Sequence, residues 1–161
     1  MFNVEIKARC PDPEVVRDAL RARGAVLHGR DRQIDTYFEV RAGRLKLREG
    51  DIENGLIFYR REDRAGPKRS DVVLWRTGKE TGLKSVLAEA LGVRVVVDKE
   101  REIWFIGNVK FHVDRVGDLG SFVEIEAIDS DGTIGVEKLR EQCDEYLDLL
   151  GIRSEDLVEV S

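Results

Sequence analysis

Cysteine is scarce in this chain. Cys10 and Cys143 are the only two, they show no metal-ligand spacing, and they are too few for a disulfide framework. That usage suits a reducing cytoplasm. No apolar run approaches the roughly 18 residues that mark a membrane span, so no membrane association is expected. The first segment places Glu5 and Lys7 inside its apolar pattern, which is not how a signal peptide reads. A basic excess is also missing. Twenty-seven Lys and Arg against 32 Asp and Glu leave a net charge of −5, which argues against general nucleic-acid binding. Internal repeats, low-complexity stretches and linkers are absent, and residues 1–161 read as one domain.

Charge of both signs is abundant. Charged residues make up 37% of the chain, well above the usual quarter. Their placement follows a period of two. Residues 2–9 alternate Phe2, Val4, Ile6 and Ala8 with Asn3, Glu5, Lys7 and Arg9, which is a strand signal. A helix is expected next, with Asp12 as N-cap, Pro13 in the first helical position and Gly24 just past the end. Residues 25–39 read as one long strand or two, followed by strands in RLKLREG, GLIFYRRED and DVVLWRT. Between the last two, residues 63–70 (DRAGPKRS) read as a basic loop with a Gly-Pro break. A short helix is expected over 81–91, three more strands within 93–128, and a last helix over 133–150. The sum is an α+β chain of about eight strands and three helices.

The charged faces of these strands are segregated by sign. Arg44, Lys46 and Arg48 share a face opposite Leu45 and Leu47, Arg61 lies with Ile57 and Tyr59, and Lys99 lies with Arg101. Lys110, His112 and Asp114 share another face, and Glu124 and Glu126 lie with Phe122 opposite Val123 and Ile125. Two architectures satisfy this pattern. The charged faces are the solvated outside of a sheet packed on helices, as is usual for alternating strands. Alternatively, the sheet closes, the helices cover the apolar faces from outside, and the charges line a lumen wide enough for one small ligand. Like charges enclosed without counter-ions cost several kcal/mol each, so such a lumen needs an anion for its bases and a cation for its acids. A metal–polyphosphate complex supplies both.

The sequence resembles the CYTH superfamily, the triphosphate tunnel metalloenzymes, whose mark is an N-terminal E-x-E-x-K. It stands here as Asn3-Val4-Glu5-Ile6-Lys7. DTYF (35–38), RLKLRE (44–49), the strand carrying Arg61, DKER (98–101) and HVDRVGDLGSFVEIE (112–126) carry the likeness over most of the chain. Within the superfamily it is most similar to class IV adenylyl cyclase-like proteins. The resemblance implies an eight-stranded antiparallel closed β-barrel, a divalent metal (Mg²⁺ or Mn²⁺), and a small-molecule triphosphate such as ATP, tripolyphosphate or thiamine triphosphate. It implies Glu5, Asp114, Glu124 and Glu126 as metal ligands, and Lys7, Lys46, Arg48, Arg61, Lys99 and Arg101 as the triphosphate clamp. Glu5, Lys7 and Asp114 are the implied catalytic groups, with Glu5 or Asp114 taking up the proton. Arg9 and Arg44 fall near the mouths, Arg115 points outward, and His112, Tyr37, Phe38 and Tyr59 read as packing residues. The expected reaction is conversion of ATP to cyclic AMP and pyrophosphate. The alternatives are an inorganic or thiamine triphosphatase, or a non-catalytic polyphosphate- or nucleotide-binding module. The superfamily also makes a homodimer plausible. Asn3 departs from the motif by offering a neutral oxygen where the family has a carboxylate.

Overall fold

A computed structural model describes residues 1–79 and 82–159. Eight strands close on themselves: β1 (Phe2–Arg9), β2 (Val26–Phe38), β3 (Arg44–Gly50), β4 (Asn54–Arg61), β5 (Lys68–Arg76), β6 (Val93–Ile106), β7 (Val109–Val116) and β8 (Gly120–Asp129). Every neighbouring pair is antiparallel, and the order around the barrel is β1-β5-β4-β3-β2-β6-β7-β8. The two long strands β2 and β6 pair along almost their whole length, with irregularities at Leu27/Gly29 and Tyr37/Phe38. Residues 25–39 therefore form one strand rather than two.

Three helices lie outside the barrel: α1 (Pro13–Ala22), α2 (Leu83–Leu91) and α3 (Val136–Leu149). Asp12 caps α1 by accepting from the Glu14 amide at 3.2 Å, Pro13 opens the helix, and Gly24 turns the chain at φ +73°. The apolar faces of β1, β7 and β8 meet α1 and α3 in one core. Val4, Ile6, Phe111, Val123 and Ile125 pack there against Val16 and Leu20 of α1 and Leu139 and Cys143 of α3. Each large apolar side chain buried in this way contributes about 1.5–3 kcal/mol. Leu47 is buried too but lies apart from that cluster, so β3 is not covered by α1 or α3. Both cysteines are buried and free. Burial pushes the Cys143 thiol up to about 12, which keeps it inert.

Two boundaries differ from the sequence reading. Strand β5 begins at Lys68 inside the expected loop, because Lys68 and Ser70 find partners in Glu5, Asn3 and Arg61. Helix α3 starts at Val136 rather than 133, because the Asp129 carboxylate accepts from the amides of Gly132, Ile134 and Gly135 and holds those residues in a turn. Thr81, the expected start of the second helix, lies outside the described residues. Pairing of β1 with β5 ends at Glu5–Lys68. Beyond it the C-terminal segment lies against β1, with Leu157 bridged to Ala8 and the Val158 amide donating to Lys7 at 2.9 Å. Among the described residues no helix is long and apolar enough to cross a membrane.

Candidate active site

Alternation decides what faces inward. With Val4, Ile6, Val123 and Ile125 in the outer core, Asn3, Glu5, Lys7, Glu124 and Glu126 must point into the barrel. They line a cavity of about 1070 Å³. Lys46, Arg48, Arg61, Lys99 and Arg101 enter the same cavity from β3, β4 and β6, and Arg9 and Arg44 line it as well. The charged faces are the lumen, and the outside-facing alternative is excluded for these residues.

The acids sit on adjoining strands. Register pairs Glu5 with Glu126 and Lys7 with Glu124 across β1 and β8. The Lys7 ammonium lies 3.4 Å from Glu124, the Arg101 guanidinium 3.6 Å, and His112 Nδ1 3.2 Å. Burial opposes ionisation of Glu124, but Lys7 and Arg101 hold its carboxyl well below the usual range. Burial and then Arg101 push His112 down to about 3, so its ring is neutral. Glu126 behaves differently. Burial pushes it up to about 7, with Lys110 opposing and Glu5 and Glu124 adding to the rise. Its Oε1 accepts from Asn3 Nδ2 at 2.7 Å. Glu5 pairs with Arg61, whose Nε and Nη2 are buried and have no hydrogen-bond partner among the described residues.

The bases are organised by Asp35. This fully buried carboxylate accepts from Arg48 through both its oxygens at 2.9 Å each, and from Lys99 at 3.1 Å; the Lys46 ammonium is 3.4 Å away. Burial would raise its pKa, but Lys46, Arg48 and Lys99 together hold it well below the usual carboxylate range. Lys46 also sits 5.4 Å from the ring centres of Tyr37 and Tyr59, so these tyrosines serve as an aromatic wall for a cation. Burial and the neighbouring Arg101 push Lys99 down to about 7.

Asp114 shares the inward face of Lys110 and His112, opposite the core residues Val113 and Phe111. Arg101 grips both its oxygens, at 2.8 and 2.7 Å, and lies 3.6 Å from Glu124, so one guanidinium stands between the two acids. Two residues that bear on the lumen have no counterpart in the sequence reading, Asp35 and Glu53. Asp35 shares the phase of Gln33 and Tyr37, so period-two alternation applied to β2 would have pointed it inward. Glu53 lies in the turn between β3 and β4, where no period applies.

The family model for the CYTH domain matches residues 1–160. The chain belongs to the CYTH family. No curated protein matches the sequence. The PH1012 protein of Pyrococcus horikoshii OT3 is 23% identical, with a TM-score of 0.84 over 99% of this chain and 96% of that one. A Vibrio parahaemolyticus protein provisionally assigned as an adenylate cyclase is 16% identical, with a TM-score of 0.76 over 100% of this chain and 95% of that one. A Hippeastrum protein, provisionally an adenylyl cyclase and described by its dominant triphosphatase activity, is 15% identical, with a TM-score of 0.62 over 99% and 91% of the two chains. At these identities the likeness establishes the shared tunnel fold.

For a CYTH domain the question is whether the lumen suits a divalent cation. Among the described residues no three His, Cys, Asp or Glu side chains converge as a ready-made metal cluster. The carboxylates lean instead on Arg61, Lys7 and His112. Their chemistry nonetheless fits. Glu5, Glu124 and Glu126 are hard oxygen donors on two paired strands, and the buried Asn3 Oδ1 beside them has no hydrogen-bond partner. The neutral amide of Asn3 adds no charge next to Glu126, and its Nδ2 donates to that carboxylate while its oxygen is left unused.

Proposed function

We propose that this CYTH protein is a divalent-metal-dependent enzyme that takes a small-molecule triphosphate into the barrel, and that its reaction is conversion of ATP to cyclic AMP and pyrophosphate. The observation that carries the reading is the division of one lumen into a basic wall and an acidic wall. Among the described residues, Arg61 on the basic side carries buried donors without partners, and Asn3 on the acidic side offers a buried acceptor without one. An anion answers the first and a cation the second.

Lys46, Arg48, Arg61, Lys99 and Arg101 would hold the phosphate oxygens: Arg61 bidentately through Nε and Nη2, Arg48 and Arg101 through the donors that Asp35 and Asp114 leave over, and the lysines as point charges. Glu5, Glu124 and Glu126, with Asn3, would hold Mg²⁺ or Mn²⁺, which when bound neutralises phosphate charge. Lys7, between the two walls, would bridge carboxylate and phosphate. Catalysis then rests on positioning and on charge stabilisation in an enclosed space. In the cyclase reaction the 3′-oxygen bonds to the α-phosphorus, the bond from that phosphorus to the bridging oxygen breaks, and pyrophosphate leaves. The hydroxyl proton passes to a carboxylate. A cavity of about 1070 Å³ is large enough for a nucleoside together with its phosphates.

A second reading, hydrolysis, is favoured by Glu126. In the metal-free protein burial holds this carboxyl at about 7, which suits a base that accepts a proton from water attacking the terminal phosphorus; in this reading Glu126 is the base, and Glu5 and Glu124 with Asn3 would hold the metal. The ties of Asp114 to Arg101 and of Glu5 to Arg61 make both poor proton acceptors, which leaves Glu126 for that role. A panel of ATP, GTP, thiamine triphosphate and tripolyphosphate, each with Mg²⁺ and with Mn²⁺, tests both readings. The expected result is cyclic AMP plus pyrophosphate from ATP, abolished by a chelator. Orthophosphate and the matching diphosphate, with no cyclic AMP, would make the protein a triphosphatase. Tight metal-independent binding without turnover would make it a binding module, and neither binding nor turnover would overturn the proposal.

Lys99 makes the binding step sensitive to pH. A lysine held at about 7 is half neutral in the free protein, and a bound phosphate chain stabilises its charged form. Metal-free binding of tripolyphosphate should therefore take up a proton. Its affinity should fall as pH rises above 7, by up to about tenfold per pH unit. Calorimetry in buffers of different ionisation enthalpy measures the uptake. Lys99→Arg, which stays charged, should flatten the profile, and an unchanged slope in that variant would remove Lys99 from the site.

A further inference from the structure

The turn between β3 and β4 does not hang outside the barrel; it folds across one end of it. Asp31, buried on β2, accepts from three successive turn amides: Asp51 at 2.6 Å, Ile52 at 2.9 Å and Glu53 at 2.9 Å. Asn54 closes the turn with two hydrogen bonds to the backbone of Gly50, at 3.1 and 3.0 Å. Glycine is required at position 50 for this approach, and Gly29 leaves room for the Ile52 side chain. A Cβ on Gly50 would stand 2.8 Å from the Asp31 carboxylate, and one on Gly29 would stand 2.7 Å from the Ile52 side chain. The turn is a wall: Asp31 and Asp51 line the outer cleft, while Ile52, Glu53 and Asn54 line the lumen.

From this wall the Glu53 side chain reaches into the lumen. Its carboxylate lies 2.6 Å from the Lys110 ammonium on β7 and 3.5 Å from the Arg48 guanidinium on β3, and accepts from Gln33 at 3.0 Å. Strands β3 and β7 are separated around the barrel by β2 and β6, so the carboxylate spans the lumen rather than pairing with a neighbour. Glu53 thus engages two cations that would otherwise face a phosphate, and it does so from an anchored turn.

We infer that Glu53 caps the anion channel and sets the length of phosphate chain that the lumen grips, so that binding stops improving at a triphosphate. This rests on the proposed function, that the lumen holds phosphate chains. A further phosphate would need Lys110 and the free side of Arg48, would meet the Glu53 charge, and could not push aside a turn fixed by Asp31. Without the Glu53 carboxylate, one more phosphate can take its place beside Lys110 and the side of Arg48 that Asp35 does not hold.

The test is calorimetric binding of inorganic pyrophosphate, tripolyphosphate and tetrapolyphosphate to the full chain, metal-free, for the native protein, Glu53→Ala and Glu53→Gln. The native protein should bind tripolyphosphate and tetrapolyphosphate with equal affinity. Glu53→Ala should bind tetrapolyphosphate about tenfold tighter than tripolyphosphate. Glu53→Gln, which keeps the shape and loses the charge, should shift the same way by less and guards against loss of fold in the alanine variant. If both variants gain equally for all three chains, Glu53 only adds repulsion and the inference fails while the proposed function stands. If the native protein binds none of the three metal-free, the inference fails; if it binds none with Mg²⁺ or Mn²⁺ either, the proposed function fails as well.

Discussion

Glu124→Gln is expected to lower triphosphate turnover by at least about 100-fold, equivalent to about 2.7 kcal/mol of transition-state stabilisation. Glu124 is the carboxylate on which the lumen converges, with Lys7 at 3.4 Å, Arg101 at 3.6 Å and His112 Nδ1 at 3.2 Å. Because the carboxylate is ionised and the imidazole neutral, His112 must donate from Nδ1, which fixes the tautomer. Glutamine preserves size and hydrogen-bonding reach but removes the charge and the hard anionic donor. Two effects should then move in opposite directions. Turnover with Mg²⁺ or Mn²⁺ should collapse, while metal-free affinity for tripolyphosphate should rise, because Lys7 and Arg101 lose their counter-ion. Steady-state kinetics, calorimetry and circular dichroism on one preparation separate these effects from misfolding. Full activity in the folded variant would remove Glu124 from the metal site.

Asp35→Asn should act first on stability. One fully buried carboxylate compensates Arg48 and Lys99 directly and Lys46 at 3.4 Å. Removing it leaves Arg48 and Lys46 enclosed without their counter-ion and pushes Lys99 further toward its neutral form, and breaking a buried ion pair on one side costs about 3–5 kcal/mol. For a chain of this size that corresponds to a fall in Tm of about 6–20 °C. The same reasoning predicts rescue. Tripolyphosphate supplies the missing negative charge to the same cations, so it should raise the Tm of Asp35→Asn by more than it raises that of the native protein. Thermal melts with and without tripolyphosphate measure both. A variant that melts within a degree or two of the native protein would show that Asp35 does not organise the basic wall. A variant that melts low without rescue would place the loss elsewhere than in the clamp.

Strand phase was legible in the sequence because it is local. In β1, β3, β6 and β8 the side-chain period of two assigns each charged residue to one face whatever the neighbours are, and Glu5, Lys46, Arg101 and Glu124 could be grouped before any pairing was known. Caps and turns are local as well, so Asp12, Pro13 and Gly24 marked α1 correctly. The face assigned to Asp114 was read in the same way, yet its partner was not. Arg101 is brought beside it only by the register of β6 against β7, which sets one guanidinium between Asp114 and Glu124.

The sequence by itself determined which residues share a face, that acids and bases are segregated by strand, and that a closed sheet would enclose them. Only the tertiary structure decided which acid meets which base. Closure sets Glu5 beside Glu126, the order of strands gathers three cations around Asp35, and a turn with no periodicity carries Glu53 across the lumen. Side-chain direction follows from a residue's own backbone, whereas a Coulomb partner is fixed by distances between segments far apart in the chain, and those exist only after the barrel has closed.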